Sequence, residues 1–173
     1  MPRESRLLIR AEERADRAAV RAVLASAFPT PAEADLVDAL REQARPLISL
    51  VAEGLEDIAG HILFSPVSLS GHPGLKMMGL APMAVTPSRQ RQGVGSALAR
   101  AGLEECQRLG FGAVVVLGHP EYYPRFGFVP AARFDIRCEY AVPEEAFMVL
   151  ELHPGYLHGA SGTIKYHAAF GNL

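Results

Sequence analysis

Residues 82–95 read Pro-Met-Ala-Val-Thr-Pro-Ser-Arg-Gln-Arg-Gln-Gly-Val-Gly, and they join a predicted strand to a predicted helix. The preceding residues 75–85 are mostly apolar and indicate a strand. Apolar residues then recur at the spacing of one helix face: Val94, Ala97, Leu98, Ala101 and Leu109. This helix ends at Gly110, and the continuously apolar residues 113–117 are typical of a buried parallel strand. Residues 75–117 therefore predict a strand–helix–strand unit with a right-handed crossover.

The residues before this unit predict two helices and an antiparallel meander. A short strand at 7–10 precedes a helix at 15–28. Thr30-Pro31-Ala32-Glu33 offers an N-cap, a proline at the first helical position and a capping-box glutamate, so a second helix runs to about Ala44. Short turns separate apolar strands at 48–53 and 58–69 from the next strand, which implies antiparallel pairing.

After the unit, residues 128–137 and 146–152 indicate two further strands. The stretch from His153 to Gly162 carries no comparable pattern. We therefore expect a single domain over residues 1–152, followed by a loosely structured C-terminal extension, 153–173, packed on or near it.

The loop between strand and helix is suited to an anion. Gly93 and Gly95 let a ligand approach the backbone closely. The first amide groups of a helix lack internal acceptors and carry partial positive charge, and Arg89 and Arg91 add to it. A tight turn that uses glycine for geometry alone is the alternative. A phosphate loop ending in Gly-Lys-Ser/Thr is missing, and Leu98 occupies the third position of a dinucleotide fingerprint, where Gly or Ala is needed.

Composition narrows the class of protein. The chain has 173 residues, of which 49% are apolar and 21% charged, which suits one folded domain and argues against disorder. A net charge of -2 with interspersed signs argues against nucleic-acid and membrane-surface binding. No apolar run approaches the roughly 18 to 20 residues of a membrane span, and charged residues in 1–14 argue against a signal peptide. We expect a cytoplasmic protein.

Cysteine and histidine give no metal pattern. Cys106 and Cys138 are too few for a four-ligand cluster and are interpreted as free thiols. The six histidines show no His-Glu-x-x-His motif. No metal is predicted.

Two motifs together resemble one family. Gln90-x-x-Gly93-x-Gly95 and the later Tyr123-Pro-Arg-Phe-Gly127-Phe128 are similar to the acetyl-CoA loop and the Tyr-x-x-x-Gly-Phe element of the GCN5-related N-acetyltransferase superfamily, including a bacterial subgroup. The strong similarity covers residues 79–130. It implies an α/β fold of the mixed α+β kind, with a splayed sheet, an N-terminal antiparallel meander and a central βαβ unit, flanked by helices.

The resemblance also implies a cofactor site for acetyl-CoA. The backbone amides from Arg91 to Ser96 would hold the pyrophosphate, and the Gln90 side chain would shape the loop. Pantetheine would pair with the strand before the loop, and Pro82 would mark a bulge where the sheet opens. The predicted cofactor-binding residues are Met83, Val85, Gln90, Arg91, Gln92, Gly93, Val94, Gly95 and Ser96.

Tyr123 aligns with the family's general acid, a phenol that protonates the leaving CoA thiolate; a packed core aromatic is the alternative. Tyr122 is expected to pack. No glutamate lies in residues 77–85, where many members place one, so the resemblance does not identify a base. Glu33 and His119 are candidates, beside a relay through water, although Glu33 could serve only as a capping residue.

Two further side chains, Cys106 and Arg125, each have two possible roles. Cys106 is interpreted as a packing residue, and its use as an acyl-accepting nucleophile is the alternative. Arg125 either contacts a CoA phosphate or is solvated. The predicted function is transfer of acetyl from acetyl-CoA to a primary amine of a small molecule or peptide, with a homodimer left open. The rivals are a noncatalytic acyl-CoA-binding or regulatory domain and, more distantly, a dinucleotide oxidoreductase.

Overall fold

Nine strands form the central sheet of the computed structural model, which describes residues 7–172. The ends of the predicted domain and extension, residues 1–6 and 173, lie outside the described residues. The strands are β1 (Leu8–Ala11), β2 (Ile48–Glu53), β3 (Ile58–Leu69), β4 (Met77–Val85), β5 (Ala113–Leu117), β6 (Val129–Pro130), β7 (Ile136–Cys138), β8 (Phe147–Glu151) and β9 (Gly162–Lys165). The helices are α1 (Arg17–Ala27), α2 (Ala32–Gln43) and α3 (Val94–Arg108).

The strand order confirms the predicted meander and the predicted strand–helix–strand unit. β1, β2, β3 and β4 are successive antiparallel neighbours. β4 then pairs in parallel with β5, and α3 is the connection between them. β8 adds to β5 in antiparallel fashion, and β6 adds to β8. The sheet is therefore mixed, as expected.

Helices cover both faces of the sheet. On β3, Ile62 and Phe64 belong to the apolar cluster that includes α3, whereas Leu63 between them belongs to the cluster of α1 and α2. This division follows from the alternation of side chains along a strand. A Cβ atom on Gly102 would lie 2.2 Å from the Phe64 ring, so glycine lets α3 approach β3 closely.

The sheet opens between β4 and β5. Their pairing runs from Met77 and Ala113 to Leu80 and Val116, and no further. Just beyond, the register between β3 and β4 shifts by one residue, which places a bulge at Ala81 and Pro82 as predicted for Pro82. The edge of residues 81–85 that faces β5 is therefore not paired with another strand among the described residues.

The prediction of one strand at 128–137 is wrong. Only Val129–Pro130 and Ile136–Cys138 are strands, and a turn of 3-10 helix at Ala131–Phe134 separates them. Pro130 lacks an amide hydrogen, and Asp135 has φ of 55°, so neither residue continues a regular ladder.

The C-terminal extension is also more ordered than predicted. Its strand β9 pairs with Ser68 and Leu69 of β3 and runs parallel to β7. A final 3-10 turn, Ala168–Asn172, packs against α2 through Phe170. Among residues 7–172, no helix has the length and apolar character required to cross a membrane.

Candidate active site

A cleft of about 1230 Å³ begins where β4 and β5 diverge. Several parts of the chain line it: the second half of β4, the loop into α3, the turn after β5, and a wall built from residues 28–36, the residues around Tyr140 and the C-terminal segment. Because the splay exposes unpaired backbone and the loop exposes amides, the cleft offers hydrogen-bonding groups along its length.

The loop into α3 has the backbone geometry of an anion site. Arg91 and Gly93 both have positive φ, of 63° and 85°. The Gln90 side chain donates a hydrogen bond to the Val85 carbonyl at 3.0 Å, which fixes the loop to β4. The first amide that donates within the helix is that of Ala97, to Gly93 at 3.0 Å. The earlier amides of the first turn are therefore free for a ligand.

Arg89 also lines the cleft, and its guanidinium lies beside the turn between β2 and β3, where its Nη1 atom would be 3.6 Å from a Cβ atom on Gly54. Its Nη2 atom is buried and has no hydrogen-bond partner among the described residues. A buried guanidinium nitrogen is costly to leave unpaired, so this atom calls for an anionic or carbonyl partner. The sequence indicated positive charge at Arg89 but not its burial.

The two adjacent tyrosines both line the cleft but differ in their contacts. The Tyr122 hydroxyl lies 2.9 Å from Ser96 Oγ, in the first turn of α3. The Arg125 guanidinium lies 4.2 Å from the centre of the Tyr122 ring. Tyr122 was expected only to pack, and this hydrogen bond was not predicted.

Tyr123 is 8% exposed and is held by close packing. A Cβ atom on Gly118 would lie 2.3 Å from its ring, and its edge meets Phe128 with ring centres 5.7 Å apart. Burial raises the pKa of Tyr123 to about 12, with a smaller contribution from Tyr122. The phenol therefore remains protonated near neutral pH, as a general acid must be.

Glu33 does not form the predicted capping box. Helix α2 begins at Ala32, and its N-cap residue, Pro31, makes no side-chain cap hydrogen bond. Thr30 Oγ1 accepts only a long hydrogen bond from the Ala32 amide, at 3.3 Å. Instead Glu33 lines the cleft, and its Oε2 atom is buried without a hydrogen-bond partner among the described residues. The carboxylate is thus free to receive a cationic group.

His119, the other candidate base, also lines the cleft. It is exposed, in the turn after β5. Its carbonyl accepts hydrogen bonds from the amides of Tyr122 and Tyr123, at 3.1 and 3.4 Å. The His119 carbonyl therefore holds the backbone of both tyrosines, and this contact does not depend on the role of the imidazole ring.

The structure brings most of the predicted site residues together. All three predicted catalytic residues line the cleft, as do all predicted cofactor-binding residues except Gln92. The Gln92 side chain instead donates to the Ser88 carbonyl at 3.2 Å. Sequence reasoning missed a group of lining residues that no motif marks: Phe28, Leu36, Cys138, Tyr140, Tyr166 and Phe170.

Neither cysteine is suited to be a nucleophile. Cys106 is fully buried in α3, and burial raises the pKa of its thiol to about 12. Cys138 lines the cleft, but burial raises its pKa as well. Since the thiolate is the reactive form, both thiols are poor acyl acceptors at neutral pH.

Comparison with known proteins gives one consistent family. Residues 6–128 match the model described as Acetyltransferase (GNAT) family. Uncharacterized N-acetyltransferase YhbS of Escherichia coli strain K12 is 39% identical over 165 residues, which are 95% of this chain and 98% of YhbS. Uncharacterized N-acetyltransferase YjhQ of the same strain is 42% identical over 137 residues, which are 77% of this chain and 76% of YjhQ.

Two similar crystal structures contain a coenzyme. That of YhbS from Escherichia coli in complex with CoA has a TM-score of 0.92 at 38% identity, covering 99% of this chain and 95% of that chain. That of a GNAT family acetyltransferase from Brucella melitensis in complex with acetyl-CoA has a TM-score of 0.79 at 35% identity, covering 96% and 99%. These similarities confirm the predicted fold class.

Proposed function

Because this chain belongs to the acetyltransferase (GNAT) family, we propose that it transfers the acetyl group of acetyl-CoA directly to a primary amine, with both substrates bound at once. One observation carries the proposal: a single cleft is lined by free helix amides and by Arg89, whose buried Nη2 atom has no partner among the described residues, and also by the unpaired carboxylate of Glu33. Its volume of about 1230 Å³ exceeds the roughly 300–1000 Å³ of a pocket for one small ligand, which suits two substrates.

The part of the cleft formed by the loop into α3 and by residues 81–85 of β4, which we term the cofactor half, suits CoA in two ways. The amides from Arg91 to Ser96 would bind the pyrophosphate, and Arg89, which also lines the cleft, would add positive charge. The unpaired edge of residues 81–85 would pair with pantetheine as an added strand does. The Val85 carbonyl already accepts from Gln90, so we assign the pairing chiefly to the backbone of Met83.

The reaction makes a C–N bond and breaks a C–S bond. The neutral amine attacks the thioester carbonyl, which the Met83 amide would polarise, and the tetrahedral adduct expels the CoA thiolate. Tyr123 would protonate the sulfur, and a base would take the proton that the nitrogen loses. Holding both substrates in one cleft replaces a bimolecular encounter by an oriented one.

Deprotonation of the amine needs a group in the cleft, because an amine with a pKa of about 10.4 is mostly charged near pH 7.4 and its deprotonation costs roughly 4 kcal/mol. We assign this role to Glu33, since its buried oxygen has no other partner. His119, which is exposed, is the alternative. Glu33→Gln and His119→Gln variants separate the two: the base is the residue whose replacement removes the acidic limb of the pH–rate profile, along which the rate rises as the base loses its proton.

Release of free CoA thiol tests the proposed function. Protein and acetyl-CoA are mixed with a panel of primary amines, and a reagent that reports thiols follows the reaction. We expect release that requires both an amine and protein. A protein that is stabilised by acetyl-CoA but releases no CoA with any amine would instead be a binding domain, which is the rival reading.

A further inference from the structure

Aromatic and aliphatic side chains outside the α3 loop build one wall of the cleft, which we term the acceptor end: Phe28, Leu36, Tyr140, Tyr166 and Phe170. The rings of Tyr140 and Tyr166 stack with centres 6.1 Å apart and planes at 29°. The Tyr166 and Phe170 rings are 5.1 Å apart. Phe28, Leu36, Tyr166 and Phe170 all belong to the apolar cluster of α1 and α2. The wall is therefore mostly aromatic and aliphatic, and the Tyr140 and Tyr166 hydroxyls are its polar groups.

Strand β4 fixes the direction of the cleft. The α3 loop is tied to Val85 by Gln90, whereas the Tyr166 ring lies against Gly79, where a Cβ atom would be 3.0 Å from it. At about 3.3 Å per residue, these positions are roughly 20 Å apart. The bulge at Ala81 and Pro82, where the sheet opens, lies between them. The reacting carbonyl would thus meet a substrate that rests on the acceptor end.

Charge at the acceptor end is sparse and of one sign. Among the described residues that line the cleft, the arginines belong to the cofactor half: Arg89 and Arg91 adjoin the loop, and Arg125 stacks on Tyr122 beside Ser96. Glu33 is the one carboxylate in the lining. An acceptor with one positive charge satisfies this end, whereas a second charge, or more hydroxyl groups than the Tyr140 and Tyr166 hydroxyls can pair, would be buried without partners.

Resting on the proposed function, we propose that the acceptor is a small arylalkylamine: one primary ammonium held by Glu33, joined by a short chain to an aromatic ring that packs on Tyr140, Tyr166 and Phe170. Offset or edge contacts between aromatic rings add to the burial of apolar area. Polyamines and amino sugars fit this end poorly, since neither supplies an aromatic ring and both carry more polar groups than Glu33 and the two tyrosine hydroxyls can pair.

The same geometry implies that residues in the C-terminal part of the chain determine which amine binds. Tyr140, Tyr166 and Phe170 all follow residue 128, where the match to the family model ends. Glu139 accepts a hydrogen bond from the Tyr166 amide at 3.2 Å, and β9 pairs with both β3 and β7. These contacts hold the aromatic wall in place, so the extension forms substrate-binding surface.

Binding and turnover of 2-phenylethylamine test this inference. Calorimetric titration into the protein saturated with CoA detects the amine without requiring turnover. Spermidine and glucosamine are amines that lack an aromatic ring, and 2-phenylethanol has the aromatic ring but lacks the ammonium group. We expect saturable binding of 2-phenylethylamine at least about tenfold tighter than of the other three, and the highest kcat/KM for it among the three amines.

Three variants assign the contacts. Tyr140 is 38% exposed, so Tyr140→Ala removes ring area without disturbing the core. We expect it to lower kcat/KM for 2-phenylethylamine about tenfold with the KM for acetyl-CoA unchanged. Tyr140→Phe keeps the ring and should restore the rate. Leu55→Ala, at an 80% exposed residue outside this cleft, is the unrelated control and should match the wild type.

The outcomes separate this inference from the proposed function. Equal or tighter binding of spermidine or glucosamine would overturn the arylalkylamine inference while leaving acetyl transfer intact. Failure of 2-phenylethylamine to bind would overturn it as well. Binding of 2-phenylethylamine without CoA release from any amine would support the acceptor end and contradict the proposed acetyl transfer.

Discussion

Tyr123 is the residue on which the proposed chemistry depends most. Tyr123→Phe removes one oxygen and keeps the ring that packs against Gly118, so we expect little change in melting temperature. Loss of a general acid should lower kcat by about 10² or more, with acetyl-CoA binding retained. Steady-state kinetics and calorimetry of the same preparation measure both.

Tyr122→Phe is the matched control for this prediction. It removes the hydroxyl that contacts Ser96 and leaves Tyr123 in place. We expect a smaller loss of kcat. A larger loss of kcat from Tyr122→Phe than from Tyr123→Phe would indicate that Tyr122 is the general acid. Undiminished turnover by a stable Tyr123→Phe protein would show that Tyr123 is not the general acid.

His61 should make the fold sensitive to acid. It is fully buried, its Nε2 atom lies 2.8 Å from Ser49 Oγ, and burial, aided by the nearby Arg41, lowers its pKa to about 3. In the unfolded chain the pKa is near 6.5, so protons bind more tightly to the unfolded state. The free energy of unfolding should be unaffected above pH 6.5 and fall as the pH drops, by about 2 kcal/mol between pH 6.5 and 4.5.

Urea unfolding of wild type and His61→Gln across this pH range measures the effect. Gln can keep a hydrogen bond to Ser49 but does not titrate, so the variant should lose less stability on acidification. Carboxylates contribute equally in both proteins and cancel in the difference. The same pH dependence in wild type and variant would show that His61 is not responsible.

Among the structural elements, the loop into α3 offers the sharpest test. Gly93 has φ of 85° at the N-terminus of α3, and a Cβ there would meet no atom within 4 Å. Gly93→Val would therefore act through backbone strain and through bulk beside the amides, not through a clash in the core. We expect the KM for acetyl-CoA to rise at least about tenfold, while the KM for the amine changes little.

Gly71→Val is the matched control for the loop. Gly71 has φ of 78°, its surroundings are equally open, and it lies in the turn between β3 and β4, outside the cleft. The control should show a comparable loss of stability, measured by thermal melting, with an unchanged KM for acetyl-CoA. If both variants raise this KM equally, the loop has no specific part in binding.

The elements that the sequence predicted well are those with a local signal. The bounds of β2, β3 and β5 agree with the predicted strands, and α3 ends at Arg108, two residues before the predicted end at Gly110. The missed elements depend on distant partners or on competing signals. β9 pairs with Ser68 and Leu69, far away in sequence. The Thr30 and Glu33 pattern suggested a capping box, but Glu33 lies in the cleft instead.

At the scale of the whole molecule, the site combines groups from both faces of the sheet. Helix α3 presents its N-terminus from one face, α2 and the extension supply Glu33 and the aromatic wall on the other, and the gap between β4 and β5 connects them. The motifs identified the cofactor half because its spacing is local. The aromatic wall is assembled from three separate segments, around residues 28–36, 140 and 166–170, so no spacing within the sequence marks it.

Direct transfer of acetyl between two bound substrates is the central claim, and initial rates at crossed concentrations of acetyl-CoA and amine test it most directly. We predict double-reciprocal plots that intersect, an amine product whose mass has gained one acetyl group, and no acetyl adduct on intact protein incubated with acetyl-CoA alone. The raised pKa values of Cys106 and Cys138 are the reason to expect no adduct. Parallel plots together with an acetylated cysteine would contradict the claim, and so would the absence of any acetylated amine.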